Sequence, residues 1–243
     1  MTISPWTVID GVRGRYIINR NCSYVAEFLI KTGKSHIEPE IEALCGIAES
    51  LPPGCIIVDA GASHGLISVP LAKAVKAKGG VVYCYEVQQP FVMALFGTVL
   101  LNDLPNMFPV FAGLSDDIGF ADYPKIDYHE PQDFGLVSLK KSDSKESRRV
   151  VVQAIDSLNL GRLDLLKIDV EGMEYQVLTG ARRSLVEYRP WVWLEYFKSD
   201  VKQLKSAFSG LDYSFFRMDR QNMLAAPRKR LVESGIRIEA EEM

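Results

Sequence analysis

The 243-residue sequence predicts an α/β fold, a mostly parallel sheet with helices on both faces. Two observations predict it. A short, continuous apolar run at residues 55–59 reads as a strand buried on both faces, and further strands read at 81–85 and 163–170. Segments of helical length and spacing separate them, as the crossovers of a parallel sheet require.

Each element has its own reason. In residues 1–35, Val8, Ile9, Tyr16, Ile17 and Ile18 suggest a short hairpin or strand. Ile37, Ile41, Leu44, Ile47 and Leu51 recur at helical spacing with four glutamates between them, and Pro52-Pro53-Gly54 ends that helix. Residues 55–59 are the first core strand, and a helix over 66–76 follows the turn at 61–65. Strand 81–85 ends at Glu86. Pro90 sits in the first turn of a helix running to residue 102, and 108–114 is a third strand. Residues 117–148 are polar with little periodicity, and a segment this long inside a compact domain is usually functional or flexible. Its Ser142 to Arg149 portion reads as a solvated charged stretch. Strand 150–154, strand 163–170, helix 171–185, strand 191–196 and helix 201–208 follow, and 213–218 with 222–226 close the sheet as a strand pair. The organisation is therefore an N-terminal strand/helix cover (1–54), a core (55–227) with a lid-like segment (117–148), and a charged tail (228–243).

Composition is that of an ordinary globular protein, 47% apolar and 24% charged, with a net charge of −3. No basic stripe marks a nucleic-acid partner. No apolar run approaches the roughly 20 residues of a membrane helix. The first residues lack the basic and apolar regions of a signal peptide, so a cytoplasmic setting is expected. The four cysteines form no C-x-x-C pair and read as reduced core thiols.

Folds of this class bind ligands at the carboxyl ends of their strands. The first strand ends in Asp59-Ala60-Gly61-Ala62-Ser63-His64-Gly65, where Gly61 permits a sharp turn and close approach of a ligand. Glu86, 27 positions after Asp59, can accept ribose hydroxyls. Ser63 stands where a dinucleotide fingerprint needs its middle glycine, and Asp59 adds negative charge where a phosphate would be unwelcome. A nucleoside with a cationic end fits better, and S-adenosylmethionine is one. Loops of this kind also occur for structural reasons alone. His64 is expected to be a turn residue facing solvent, with a catalytic base as the alternative. Farther along, Lys167, Asp169 and Glu171 lie where a strand gives way to a helix. Two carboxylates there can deprotonate a hydroxyl or bind a hard cation; acidic residues at a helix start also simply cap it, the expectation for Glu174. Glu195 ends the fifth strand, where a site role and a solvated strand end are both open.

These segments resemble the FkbM-type family of S-adenosylmethionine-dependent methyltransferases. The resemblance rests on V-D-A-G-A-S-H-G (58–65), Tyr85-Glu86, L-L-K-I-D-V-E-G-M-E (165–174) and V-L-T-G-A (177–181), with weaker echoes at I-E-P-E (37–40), G-L-S-D (113–116) and N-M-L-A-A-P (222–227). It implies a Rossmann-like class I methyltransferase fold with a seven-stranded sheet, and O-methylation of a sugar or other small hydroxylated metabolite. By position, Asp59, Gly61 and Gly65, with Ala62 and Ser63 in the same loop, would frame the cofactor's amino-acid end. Glu86 would hold the ribose, and Ser115 with Asp116 would lie near the adenine. The chain departs from the family at Ser63, usually Asn, and at Val87, usually Pro.

Asp169 is the expected base, with Glu171 or Glu195 as helper or co-ligand and Lys167 as its ion-pair partner. The three histidines lack zinc-ligand spacing; magnesium on carboxylates, with Asp169 a candidate ligand, stays open. Tyr123, Tyr128, His129 and Phe134 give segment 117–148 aromatic surface, the expected lid or acceptor wall. Two alternatives stand: a cofactor-binding member acting only on a carrier- or protein-bound acceptor, and a nicotinamide-dependent oxidoreductase, which the missing glycine opposes.

Overall fold

The computed structural model describes residues 4–139 and 146–243. Strands β1 (Trp6–Gly11) and β2 (Gly14–Asn19) form an antiparallel hairpin, followed by α1 (Ser23–Thr32) and α2 (Glu38–Ser50). The core then runs β3 (Ile56–Ala60), α3 (Ser68–Lys76), β4 (Val81–Glu86), α4 (Gln89–Leu101), β5 (Met107–Phe111), β6 (Gly113–Leu114), β7 (Gly119–Pro124), β8 (Ser147–Gln153), β9 (Leu165–Ile168), α5 (Glu174–Gly180), α6 (Arg182–Tyr188) and β10 (Trp191–Glu195). It closes with α7 (Val201–Ser206), β11 (Tyr213–Arg217), β12 (Asn222–Pro227), α8 (Arg228–Ser234) and β13 (Glu241–Glu242).

The main sheet has the order β13-β11-β12-β10-β9-β3-β4-β5. Pairs from β5 through β10 are parallel, and β12 runs antiparallel to both of its neighbours. It is the expected sheet with an eighth strand, because the charged tail does not stay extended but turns through α8 to lay Glu241 and Glu242 beside β11. Chain order reverses between β3 and β9, which opens a crevice at the carboxyl ends of these strands.

Core strands alternate strictly. Ile57, Leu165 and Trp193 face one core layer with Ile41, Leu71 and Leu95, while Val58, Leu166 and Leu194 face the other with Val177, Leu185 and Leu204. All four cysteines are buried and unpaired. Among the described residues, no helix is long and apolar enough to cross a membrane.

Three other expectations change. Helix 171–185 starts only at Glu174 and breaks at Ala181: Glu171 and Gly172 both take left-handed backbone (φ 58° and 92°), which makes a turn, not a helix. Segment 117–148 contains strand β7, hidden in sequence because its partner β8 is distant in the chain and little of it is buried. Helix α1 also went unexpected, its apolar residues lying within a mixed stretch. The expected charged stretch at 142–145 lies outside the described residues.

Candidate active site

A cavity of about 450 Å³ lies at the carboxyl ends of β3, β4, β9 and β10, within the range of small-molecule sites. Gly61 to His64 and Glu86 line one side; Lys167, Asp169, Glu171 and Glu195 line the other.

The first loop is shaped by close approach. Gly61 has φ +83°, and a Cβ there would stand 1.9 Å from the Asp169 carbonyl oxygen. The loop therefore lies directly on the end of β9, which joins the two halves of the site. Ser63 also adopts positive φ (48°), and its N–H donates to Glu86 Oε2 at 2.9 Å. Val87 and Gln88 N–H groups donate to Glu86 Oε1, both at 2.8 Å. An ionised carboxylate has about four acceptor sites, so Oε2 keeps room for one hydroxyl. Burial raises the Glu86 pKa while these three N–H groups oppose the rise.

Asp59 sits behind the cavity wall. It is fully buried, accepts from Ser68 Oγ at 2.5 Å, and pairs with Lys167 Nζ at 3.3 Å. Lys167 Nζ also lies 3.5 Å from Asp169 Oδ2 and donates to the Gly61 carbonyl at 3.1 Å. Burial alone would lower the Lys167 pKa; the charges of Asp59 and Asp169 more than offset it and hold it above the usual value. Gly65, Ser115 and Asp116 do not line the cavity either. The Ser115 carbonyl packs under α5, where a Cβ on Gly180 would come within 2.0 Å of it.

The other expected residues converge. Carboxylate oxygens of Asp169, Glu171 and Glu195 lie within 4.8 Å of one another. Glu171 pairs with Lys198. Glu195 Oε2 is buried without a hydrogen-bond partner among the described residues, and burial, then the charges of Asp169 and Glu171, push its pKa up to about 7. Instead of capping the helix start as expected, Glu174 holds the preceding turn: its Oε1 accepts from Gly172 N–H at 2.9 Å.

Sequence reasoning missed Glu40. The glutamates of α2 read as a solvated face, yet they divide. Glu38 and Glu42 pair with Arg13, while Glu40 lines the cavity with its pKa up to about 7, chiefly through burial. Its only signal was the weak I-E-P-E echo. Tyr24, His36 and Phe197 form an aromatic rim that no motif marked. From the lid-like segment, Gln132, Asp133 and Leu136 reach the wall, while Tyr128 and Phe134 pack with Phe91 behind it. His64 does not face solvent: it is 3% exposed, with its ring edge-on to Phe91 at 4.5 Å.

This sheet order, with a cavity at the switch point and a carboxylate at the end of β4, defines a Rossmann-like methyltransferase domain. Residues 59–220 match the family model described as the methyltransferase FkbM domain. The chain belongs to this FkbM methyltransferase family, whose cofactor is S-adenosylmethionine. Among solved structures it is similar to methyltransferase FkbM from Methylobacillus flagellatus KT (TM-score 0.53, 18% identity, 84% of this chain and 54% of that one). It is also similar to Trm5b from Pyrococcus abyssi (TM-score 0.50, 11% identity, 92% and 56%). At these identities the likeness is one of fold, and the chain spans about half the length of either structure. A comparison with curated proteins gives no match.

The residues present fit S-adenosylmethionine. Gly61 lets the loop close onto β9 at the cavity edge, Glu86 retains an acceptor for a ribose hydroxyl, and the carboxylate-rich side suits a cationic centre.

Proposed function

We propose that the chain O-methylates a small hydroxylated acceptor, a sugar or similar metabolite, with S-adenosylmethionine as donor. The observation that supports this reading is the convergence of Asp169, Glu171 and Glu195 in the same cavity as the Gly61–Ser63 loop and Glu86. Bound S-adenosylmethionine supplies an electrophilic methyl carbon. Asp169, fixed by Lys167, orients the acceptor hydroxyl. Glu195 Oε2, without a hydrogen-bond partner among the described residues and near neutrality in pKa, would take the hydroxyl proton as the oxygen–carbon bond forms and the donor's carbon–sulfur bond breaks, S-adenosylhomocysteine being the leaving group. Positioning accounts for most of what remains.

The charge of the mouth bears on the acceptor. Among the described residues, Glu40, Asp169, Glu171 and Glu195 face only Lys167 and Lys198 across the cavity, which favours a neutral or cationic small molecule over a polyanion. Methyl transfer from radiolabelled S-adenosylmethionine to a panel of sugars and other polyols tests the reading. Asp169→Asn should lower turnover about 10²-fold or more with cofactor affinity unchanged; full turnover in that variant refutes the assignment. The carboxylate trio also has the oxygen-ligand character of a magnesium site. Turnover that survives exhaustive chelation rules out a metal role.

A further inference from the structure

We infer that His64 holds its proton on Nδ1 and donates it to Ser63 Oγ, so that the Ser63 hydroxyl can only donate into the cofactor cavity. His64 is thus a positioning residue. The inference rests on the S-adenosylmethionine reading for the identity of the ligand, but the tautomer follows from the hairpin alone.

In the β1–β2 hairpin, Arg20 N–H donates to the Pro5 carbonyl at 2.8 Å. Antiparallel pairs alternate between hydrogen-bonded and open, so Arg15, Ile17 and Asn19, paired with Asp10, Val8 and Trp6, point their N–H groups away from β1. Each outward N–H meets a side-chain acceptor. Arg15 donates to Asn102 Oδ1 at 2.9 Å, Ile17 to Thr98 Oγ1 at 3.1 Å, and Asn19 to His64 Nε2 at 3.4 Å. Asn19 is fully buried, and a buried N–H left unmatched is costly. Nε2 must therefore be a bare nitrogen, and the single proton of the neutral ring sits on Nδ1. Nδ1 lies 3.3 Å from Ser63 Oγ, which must accept. The burial that pushes the His64 pKa down to about 3 agrees with a neutral ring.

Among the described residues the Ser63 O–H then has no partner behind it, and Ser63 lines the cavity. A donor fixed in this sense selects an acceptor atom, and the methionyl carboxylate is the strongest acceptor that S-adenosylmethionine offers. The usual asparagine amide of the family would be replaced here by a serine whose direction is set by its neighbour.

Two measurements test this. Selective ¹⁵N-histidine labelling of the ligand-free protein gives only three ring systems, and loss of one in His64→Gln assigns it; Nδ1 should resonate as the protonated nitrogen. A proton on Nε2 overturns the proposal. Calorimetry with S-adenosylhomocysteine should show about tenfold weaker binding in Ser63→Ala, the scale of one hydrogen bond to a charged group. The loss should shrink to near nothing with the decarboxylated analogue. His64→Gln, which cannot place a donor at Nδ1, should weaken binding several-fold, and adding it to Ser63→Ala should cost nothing more. Full additivity of the two losses, or an equal loss with the decarboxylated analogue, overturns the proposal. Wild-type protein that binds no S-adenosylhomocysteine overturns the cofactor reading, while the tautomer stands or falls by its spectrum.

Discussion

Lowering the pH from 7 to 5 should remove the stability that His64 contributes. Its pKa is lowered from 6.5 to about 3 by burial against Phe91 and Trp6. The folded-state value lies below the unfolded one, so the stability it contributes is present above 6.5 and is lost as pH falls toward about 3. Between pH 7 and pH 5 the unfolded chain takes up nearly one proton at this residue and the folded chain takes up none. Linkage turns that difference into about 2 kcal/mol, or about 4–8 °C in Tm for a chain of this size. Glu40 and Glu195 act in the opposite sense. Their values are raised from 4.5 to about 7, so their contribution is full below 4.5 and is lost as pH rises through about 7. That contribution is common to wild type and His64→Gln and cancels in their difference. Urea denaturation of both proteins at pH 7 and pH 5 is the assay. The stability of wild type relative to the variant should fall by about 2 kcal/mol over this interval. Equal changes in the two proteins would refute a buried neutral histidine.

Three further outcomes are expected. Asp59→Asn strips the buried Lys167 ammonium of its most buried partner and should cost about 3 kcal/mol by urea denaturation, since a buried charge loses its compensation. Gly61→Ala places a methyl group 1.9 Å from a backbone oxygen at positive φ; calorimetry should show cofactor binding lost, and a thermal melt should show a lowered Tm. Glu195 must be ionised to accept a proton, so wild-type kcat should rise with pH through about 7, and Glu195→Gln should be slower by about 10²-fold and lack that limb.

Much of this architecture was legible because burial writes directly into sequence. Strands β3, β4, β9 and β10 are covered on both faces, and each appears as a mostly apolar run, with Asp59 and Lys167 the charged exceptions inside β3 and β9. The same logic brought Asp169, Glu171 and Glu195 to one mouth, since strand ends in such a sheet share a rim. What escaped was decided by distant partners. Strand β7 depends on β8, more than twenty residues later. The turn at Glu171-Gly172 looked like a helix start because acidic residues suit one, and only the left-handed backbone shows otherwise. Glu40 could not be told from Glu38 and Glu42 without seeing that Arg13 engages both of those and leaves Glu40 to the cavity. His64 read as a surface turn residue because the aromatic side chains that bury it come from β1 and α4.

Lys167 ties together the carbonyl of the cofactor loop, the buried Asp59 and the strand-end Asp169. One ammonium group is thus shared between the two halves of the site, and neither half can redistribute charge without the other registering it. Any coupling that passes through it would be reciprocal: the factor by which one ligand changed affinity for the other would equal the factor in the opposite direction.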